Sequence, residues 1–364
     1  MKLLKLGFEE GIVDPCLMVR KNKLGIVMIA IYVDDCLMIG KQKAIDEAIA
    51  GLEKSGFKLK IENELTDYLS CNIIFNKSKT KAWVGQPHLL KNLREKFGER
   101  VKKLQMYRTP GTPGYGVLRP EKDDPMQVSK EEHTIYRSGV GMLLYLVKHT
   151  RPDIANITRE LSKVMDKPTK AAMKELHRAI KFVLDTADYG LKIEPVKKNE
   201  KWNLEIYTDS DWGGDKNTRH SVSGYILYLC NVPILWKSKS QRVVTLSSAE
   251  AEYYSLSEAA KDIKFVYMLL DFVGVNVELP IIVRVDNIGA IFMSENISTS
   301  NRTKHVDCRI RFVNQFIEDG FLKVIFVKSE DNKSDPLTKN VSGDIYEKHK
   351  EDYVGKKCDI VDKD

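Results

Sequence analysis

The clearest alternation of apolar and polar positions begins at Leu204. Leu204-Glu205-Ile206-Tyr207-Thr208-Asp209-Ser210-Asp211-Trp212 predicts a strand with two acids at its end. Short apolar segments rich in β-branched and aromatic residues follow at 224–229, 232–236 and 243–246, each predicting a further strand. At Ser247 the period becomes helical. Ser247 and Glu250 have capping-box spacing, which gives Glu250 a structural task, and its polar face continues through Ser257, Lys261 and Lys264. Glu252 lies elsewhere on the wheel, in line with Leu256, Ala259 and Ile263, the stripe a sheet would bury. An acid at the end of such a stripe is costly unless it is protonated, hydrogen-bonded or bound to a metal.

Further on, the apolar run 281–285 predicts a strand entering Asp286-Asn287, with a helix from Ile288. Residues 302–319 predict a helix burying Val306, Ile310, Val313 and Ile317, stopped by Gly320. Another strand, 321–328, precedes Ser334-Asp335-Pro336-Leu337, and 346–354 reads as a short charged helix.

The first half has a different rhythm. Segments 26–33 and 36–40 predict a hairpin with Asp34-Asp35 at its turn, where Asp is favoured in any case. A helix at 44–55, two strand-like pieces within 57–75 and a basic helix at 86–97 (Lys91, Arg94, Lys96) come next. Segment 107–126, with Thr109-Pro110-Gly111-Thr112-Pro113-Gly114, sustains neither helix nor central strand and predicts a linker. Three helical patterns follow at 136–148, 154–165 and 169–187, the last ending at Gly190 as a C-cap. This stretch shows no catalytic chemistry and reads as a spacer.

Composition narrows the classes. The chain has 364 residues, 43% hydrophobic and 30% charged, enough for two or three domains with packed cores. A net charge of +7 suits a polyanion partner but decides little. Six scattered cysteines with no CxxC or Cys/His cluster argue against zinc and a disulfide framework, and suit a reducing compartment. No secretory signal is read, and the longest apolar run, 25–32, is far too short for a bilayer, so no membrane partner is expected.

The candidate chemistry is four acids: Asp209, Glu252, Asp286 and Asp335. Three of them have an ordinary alternative. Asp209 and Asp211 could both be turn acids, Asp286 a helix N-cap, and Asp335 a cap before Pro336. If the four converge, each close pair costs about 4 kcal/mol at an effective dielectric near 20, which a pair of divalent cations would relieve. Magnesium suits carboxylate ligands.

Several motifs together resemble the ribonuclease H domain of copia-type LTR retrotransposon Pol polyproteins: Tyr207-Thr208-Asp209-Ser210-Asp211-Trp212, Ser221-Val222-Ser223-Gly224-Tyr225, Trp236-Lys237-Ser238-Lys239-Ser240-Gln241, Ser247-Ser248-Ala249-Glu250-Ala251-Glu252-Tyr253, Val285-Asp286-Asn287, Arg302-Thr303-Lys304-His305-Val306-Asp307 and Ser334-Asp335-Pro336-Leu337-Thr338-Lys339. Tyr32-Val33-Asp34-Asp35 resembles the acidic hairpin of reverse transcriptases, and Tyr136-Arg137-Ser138-Gly139 with Thr150-Arg151-Pro152-Asp153 resembles the copia connection.

The resemblance implies an α/β and α+β multidomain chain: a ribonuclease H-like mixed sheet flanked by helices, preceded by a partial reverse-transcriptase palm and thumb and a helical connection. The expected segments are 1–106 (palm end and thumb), 107–200 (linker and connection), 201–340 (ribonuclease H-like) and 341–364 (C-terminal helix and tail). It implies cleavage of the RNA strand of RNA–DNA hybrids by Asp209, Glu252, Asp286 and Asp335 around two magnesium ions, with manganese as a substitute. Lys237, Lys239, Arg242 and Arg302 would contact phosphate. Asp34 and Asp35 would hold metal one ligand short, because the third palm aspartate and the fingers precede the position matched by Met1. Polymerase activity is thus not expected from this chain alone. His305 is expected to be structural. The partners implied are hybrid and other nucleic acid, with self-association or a separate polymerase N-terminal part. The setting implied is intracellular: cytoplasmic, in a virus-like particle, or nuclear. A relic that only binds nucleic acid, and a polymerase subunit completed by another chain, are the alternatives.

Overall fold

The computed structural model describes residues 2–121, 123, 125–196, 200–295 and 304–361. Arg302 lies outside the described residues, as do the side chains of His305 and Val306. The described chain forms two compact units. The first comprises Met1–Leu65, Asn199–Trp202 and Lys261–Glu278, and the second Thr66–Lys198, Asn203–Ala260 and Leu279–Asp364.

In the first unit a short helix, α1 (Lys2–Lys5), leads into four antiparallel strands, β1 (Glu9–Glu10), β2 (Leu17–Asn22), β3 (Gly25–Tyr32) and β4 (Asp35–Gly40), which are neighbours in that order. Helix α2 (Gln42–Lys54) follows. Val27 and Ile29, two residues apart on one face of β3, pack with Phe8, Met18, Ala44 and Ala48. The β3–β4 turn pairs Tyr32 with Asp35 and places Val33 at φ +52°. Asp34 and Asp35 are exposed there.

The second unit begins with β5 (Asp67–Tyr68), β6 (Cys71–Phe75), β7 (Ala82–Gly85) and helix α3 (Pro87–Val101). The described residues of 102–129 form no helix or strand, as the Pro and Gly content requires. Helices α4 (Lys130–His149), α5 (Ala155–Ser162) and α6 (Lys170–Asp185) then pack with α3 through Leu93, Phe97, Tyr136, Val140, Ile157 and Leu176. Gly139 permits that approach, since a Cβ there would lie 2.9 Å from Phe97 and 3.0 Å from Leu176.

The chain continues through β8 (Tyr189–Ile193), β9 (Leu204–Asp211), β10 (Val222–Leu229), β11 (Val232–Ser240), α7 (Ser248–Phe272), β12 (Ile281–Val285), α8 (Ile288–Glu295), α9 (Lys304–Glu318) and β13 (Leu322–Phe326). It closes with α10 (Asp335–Thr338), α11 (Gly343–Tyr353), β14 (Val354–Lys356) and α12 (Lys357–Val361). A five-stranded mixed sheet has the order β11-β10-β9-β12-β13, antiparallel from β11 to β9 and parallel from β9 to β13.

Three local expectations are corrected. Segment 243–246 is a loop that pairs with no strand, and Val243, Val244 and Leu246 are exposed. Gly190 does not cap α6. It sits inside β8, where a Cβ would lie 2.4 Å from the Val84 carbonyl oxygen and 2.6 Å from the Trp83 ring. Ser257 is fully buried rather than part of a polar face: its hydroxyl donates to the Tyr254 carbonyl and accepts from Arg309.

The compact units also divide the chain differently from the four expected segments. A second five-stranded sheet, β14-β8-β7-β6-β5, hydrogen-bonds residues near 70, 190 and 355 together. A shared core then joins Ala155 of α5 to Tyr207, Ile226 and Tyr228 of the mixed sheet, Leu337 of α10, and Tyr353 and Val354 near the C-terminus. Helices α4 and α5, read as a spacer, pack against the sheet that carries the candidate acids.

Candidate active site

Strand direction decides which acids meet. β9 and β12 are parallel with Arg284 opposite Tyr207, so two residues further along, Asp209 within β9 and Asp286 just past the end of β12 lie side by side. Asp286 does not cap α8; the Asn287 side chain does, its Oδ1 accepting from the Ala290 amide at 3.0 Å. The start of α7 is tied to β9 by hydrogen bonds. Ser210 donates its amide and its hydroxyl to Glu252 Oε1, both at 3.0 Å, and Thr208 donates to Ser255 Oγ at 2.8 Å. Gln241 braces the same helix, donating to Ser223 Oγ at 3.0 Å and the Ala251 carbonyl at 2.9 Å.

The two glutamates of α7 have separate tasks. Ser247 Oγ accepts from the Glu250 amide at 3.2 Å, while the Glu250 carboxylate accepts from the Leu246 amide at 2.7 Å. Glu252, 5% exposed, faces Asp209 and Asp286, and the ligand atoms of these three acids lie within 4.8 Å of one another.

The fourth predicted acid, Asp335, is placed beside Asp209 but outside that trio. Asn332, fully buried, donates to the Thr208 carbonyl at 3.1 Å and accepts from Ser334, fixing the approach to α10. Ser334 is the N-cap of α10, and the Asp335 carboxylate instead pairs with Lys339 Nζ at 2.5 Å. The Thr338 hydroxyl contacts Asp209 Oδ2 and lies 2.9 Å from the Asp335 carbonyl oxygen.

Burial and crowding dominate the electrostatics. Burial, with Asp335 and Asp286 nearby, pushes the Asp209 carboxyl up to about 7, against the opposing pull of Lys339 and Thr338. Burial and the charges of Asp209 and Asp286 hold Glu252 well above the usual carboxylate range. Asp211 is also raised by burial, with Lys339 and Arg159 opposing. Burial lowers Lys339, but Asp209 and Asp335 outweigh it and raise the ammonium above its ordinary value.

The trio fits a hard divalent cation. All its donors are oxygen, and Glu252 Oε2 is buried with no hydrogen-bond partner. Asp34 and Asp35 form no comparable group among the described residues. Of the predicted phosphate contacts, Lys237 and Lys239 are exposed two residues apart on β11, and Arg242 is exposed in the loop before α7. Lys328 and Glu330 are exposed as well.

Sequence reasoning missed Ser210, Thr338, Lys339, Asn332 and Gln241 as supports of the acids. One signal was present: Asp335 and Lys339 stand four apart, the spacing of a helical ion pair.

No family model matches the chain. It is 30% identical over 341 residues to the retrovirus-related Pol polyprotein from transposon RE1 of Arabidopsis thaliana, an alignment covering 93% of this chain and 22% of that protein. The corresponding polyprotein from transposon TNT 1-94 of Nicotiana tabacum is 29% identical over 346 residues, covering 93% of this chain and 25% of its own length. Among solved structures, LC11-RNase H1 isolated from compost aligns with 37% of this chain and 91% of its own at 16% identity and a TM-score of 0.30, too low to argue from. The chain spans a quarter or less of the length of these polyproteins. Carrying their similarity along nearly its whole length, it belongs to the retrovirus-related Pol polyproteins of copia-type transposons.

Proposed function

We propose that the mixed-sheet region is a metal-dependent ribonuclease H that hydrolyses the RNA strand of RNA–DNA hybrids. The observation that carries this reading is the convergence of Asp209, Glu252 and Asp286 with a buried, unpartnered Glu252 oxygen. Those three acids, with Asp335, would hold magnesium, or manganese in its place. When bound, such ions supply charge stabilisation for the scissile phosphate and for an attacking water.

The rest of the work belongs to the chain. Ser210 fixes one Glu252 oxygen and leaves the other free to bind. Thr338 holds Asp209 Oδ2, so that carboxylate meets its ligand in one orientation. Lys237, Lys239 and Arg242 would track hybrid phosphates, and 2′-hydroxyl contacts would separate RNA from DNA. Polymerase chemistry at Asp34 and Asp35 would require a third carboxylate from another chain. We place the activity inside the cell, in the cytoplasm or the nucleus.

The test is incubation of the purified chain with a labelled RNA–DNA hybrid and magnesium, beside D286N. Metal-dependent RNA cutting that the substitution abolishes supports the reading. A folded chain that cuts in neither magnesium nor manganese would overturn the catalytic reading and leave a relic with a preserved fold.

A further inference from the structure

The acid cluster is lopsided in charge. Asp209, Glu252 and Asp286 face one another, and no basic side chain among the described residues forms an ion pair with any of them. On the other flank a cation is already present: Lys339 Nζ lies 2.5 Å from Asp335 Oδ1 and feels the charges of Asp209 and Asp211. Thr338, the residue before it, is bonded to Asp209, so the backbone that carries Lys339 is pinned beside the first acid.

We infer that the Lys339 ammonium acts as a tethered counter-ion on the Asp209–Asp335 flank, so that without nucleic acid the chain takes up one divalent ion rather than two. The inference rests on the metal-binding reading above. An ammonium at hydrogen-bond distance occupies an Asp335 oxygen that a second ion would need, and its charge repels that ion. The Lys339 side chain is 48% exposed, on a flexible four-carbon stem. It can therefore leave when a competing anion, such as a hybrid phosphate, draws it out, and the second ion would then follow. Lys339 is a positioning residue in this scheme: it sets when the flank is open.

The test is a titration of Mn2+ into the full chain without nucleic acid, read by calorimetry and by the spin-resonance signal of free Mn2+. Wild type should bind one ion per chain. K339M should bind two, the second at least about tenfold tighter than any second ion in wild type. K339R, which keeps the charge, should bind one. Thermal melts establish that each variant is folded. Two ions of similar affinity in wild type, or a single ion in K339M, would overturn the inference and leave the nuclease reading standing. No ion in any of the three chains would remove the metal reading together with the inference.

Discussion

Thr338 fills the space where a side chain at position 224 would stand. Gly224 faces Asp209 across the β9–β10 pairing, and a Cβ built on it would lie 2.6 Å from Thr338 Cγ2 and 3.0 Å from Leu337 Cβ. The missing side chain lets α10 come down onto the sheet, bringing the Thr338 hydroxyl to Asp209 and Asp335 to its flank.

Gly224→Ala should therefore push α10 off the sheet. Overpacking of this kind costs about 1–3 kcal/mol, and the urea midpoint should fall accordingly. Hybrid cleavage should fall further than stability does, because Thr338 loses its hold on Asp209. An unchanged midpoint with full activity would show that α10 shifts freely and that its contact with Asp209 is dispensable.

The buried acids predict a pH dependence with a definite sign. Asp209 is raised to about 7 in the fold, against about 3.9 for an unfolded carboxyl, so between those values the fold keeps a proton the unfolded chain has lost. Metal-free stability is then full at low pH, declines as pH rises through that window, and is lowest above about 7. Glu252, raised for the same reasons, acts in the same direction. Magnesium should raise the melting temperature more at pH 8 than at pH 5, and D209N should flatten the metal-free decline. A metal-free melting temperature that climbs from pH 5 to pH 8 would contradict the account.

The nuclease-like segment should not survive excision. A fragment of residues 201–340 loses Ala155, Tyr353 and Val354 from the core shared with Tyr207, Ile226 and Tyr228, and it loses the bond from Arg159 to Ser238 on β11. A buried side chain of valine size or larger forfeits roughly 1.5–3 kcal/mol when removed, against a typical domain stability of about 5–15. Calorimetry should show no cooperative transition for the fragment. A sharp one would mean that the helices before it are dispensable.

If Lys237 and Lys239 contact phosphate, K237A and K239A should each weaken hybrid binding and reduce the salt slope by about one unit. Fluorescence anisotropy over a salt series reads this directly. Two variants with unaltered slopes would place the nucleic acid on another face.

Much of the site was legible in the sequence because strand alternation and helical period are local. Asp209 at the end of an alternating strand and Glu252 above Leu256, Ala259 and Ile263 needed only those periods, and all three stripe residues are fully buried. Val243 to Leu246 carried the same β-branched signal and failed. A strand needs a hydrogen-bonded neighbour, which local pattern does not supply, and no strand pairs with this segment.

The sequence by itself determined which acids were available, which of two glutamates two residues apart faces inward, and the family to which the chain belongs. Tertiary structure decided the rest, because those questions turn on residues far apart in the chain. Parallel pairing of β9 with β12 set Asp286 beside Asp209, and Asn287 rather than Asp286 took the helix cap. The descent of α10 over Gly224 gave Asp335 to Lys339 instead of to the trio. The joint core around Ala155 and Tyr353 made one unit of segments that composition alone had separated, since burial of a shared apolar surface is indifferent to the length of chain between its parts.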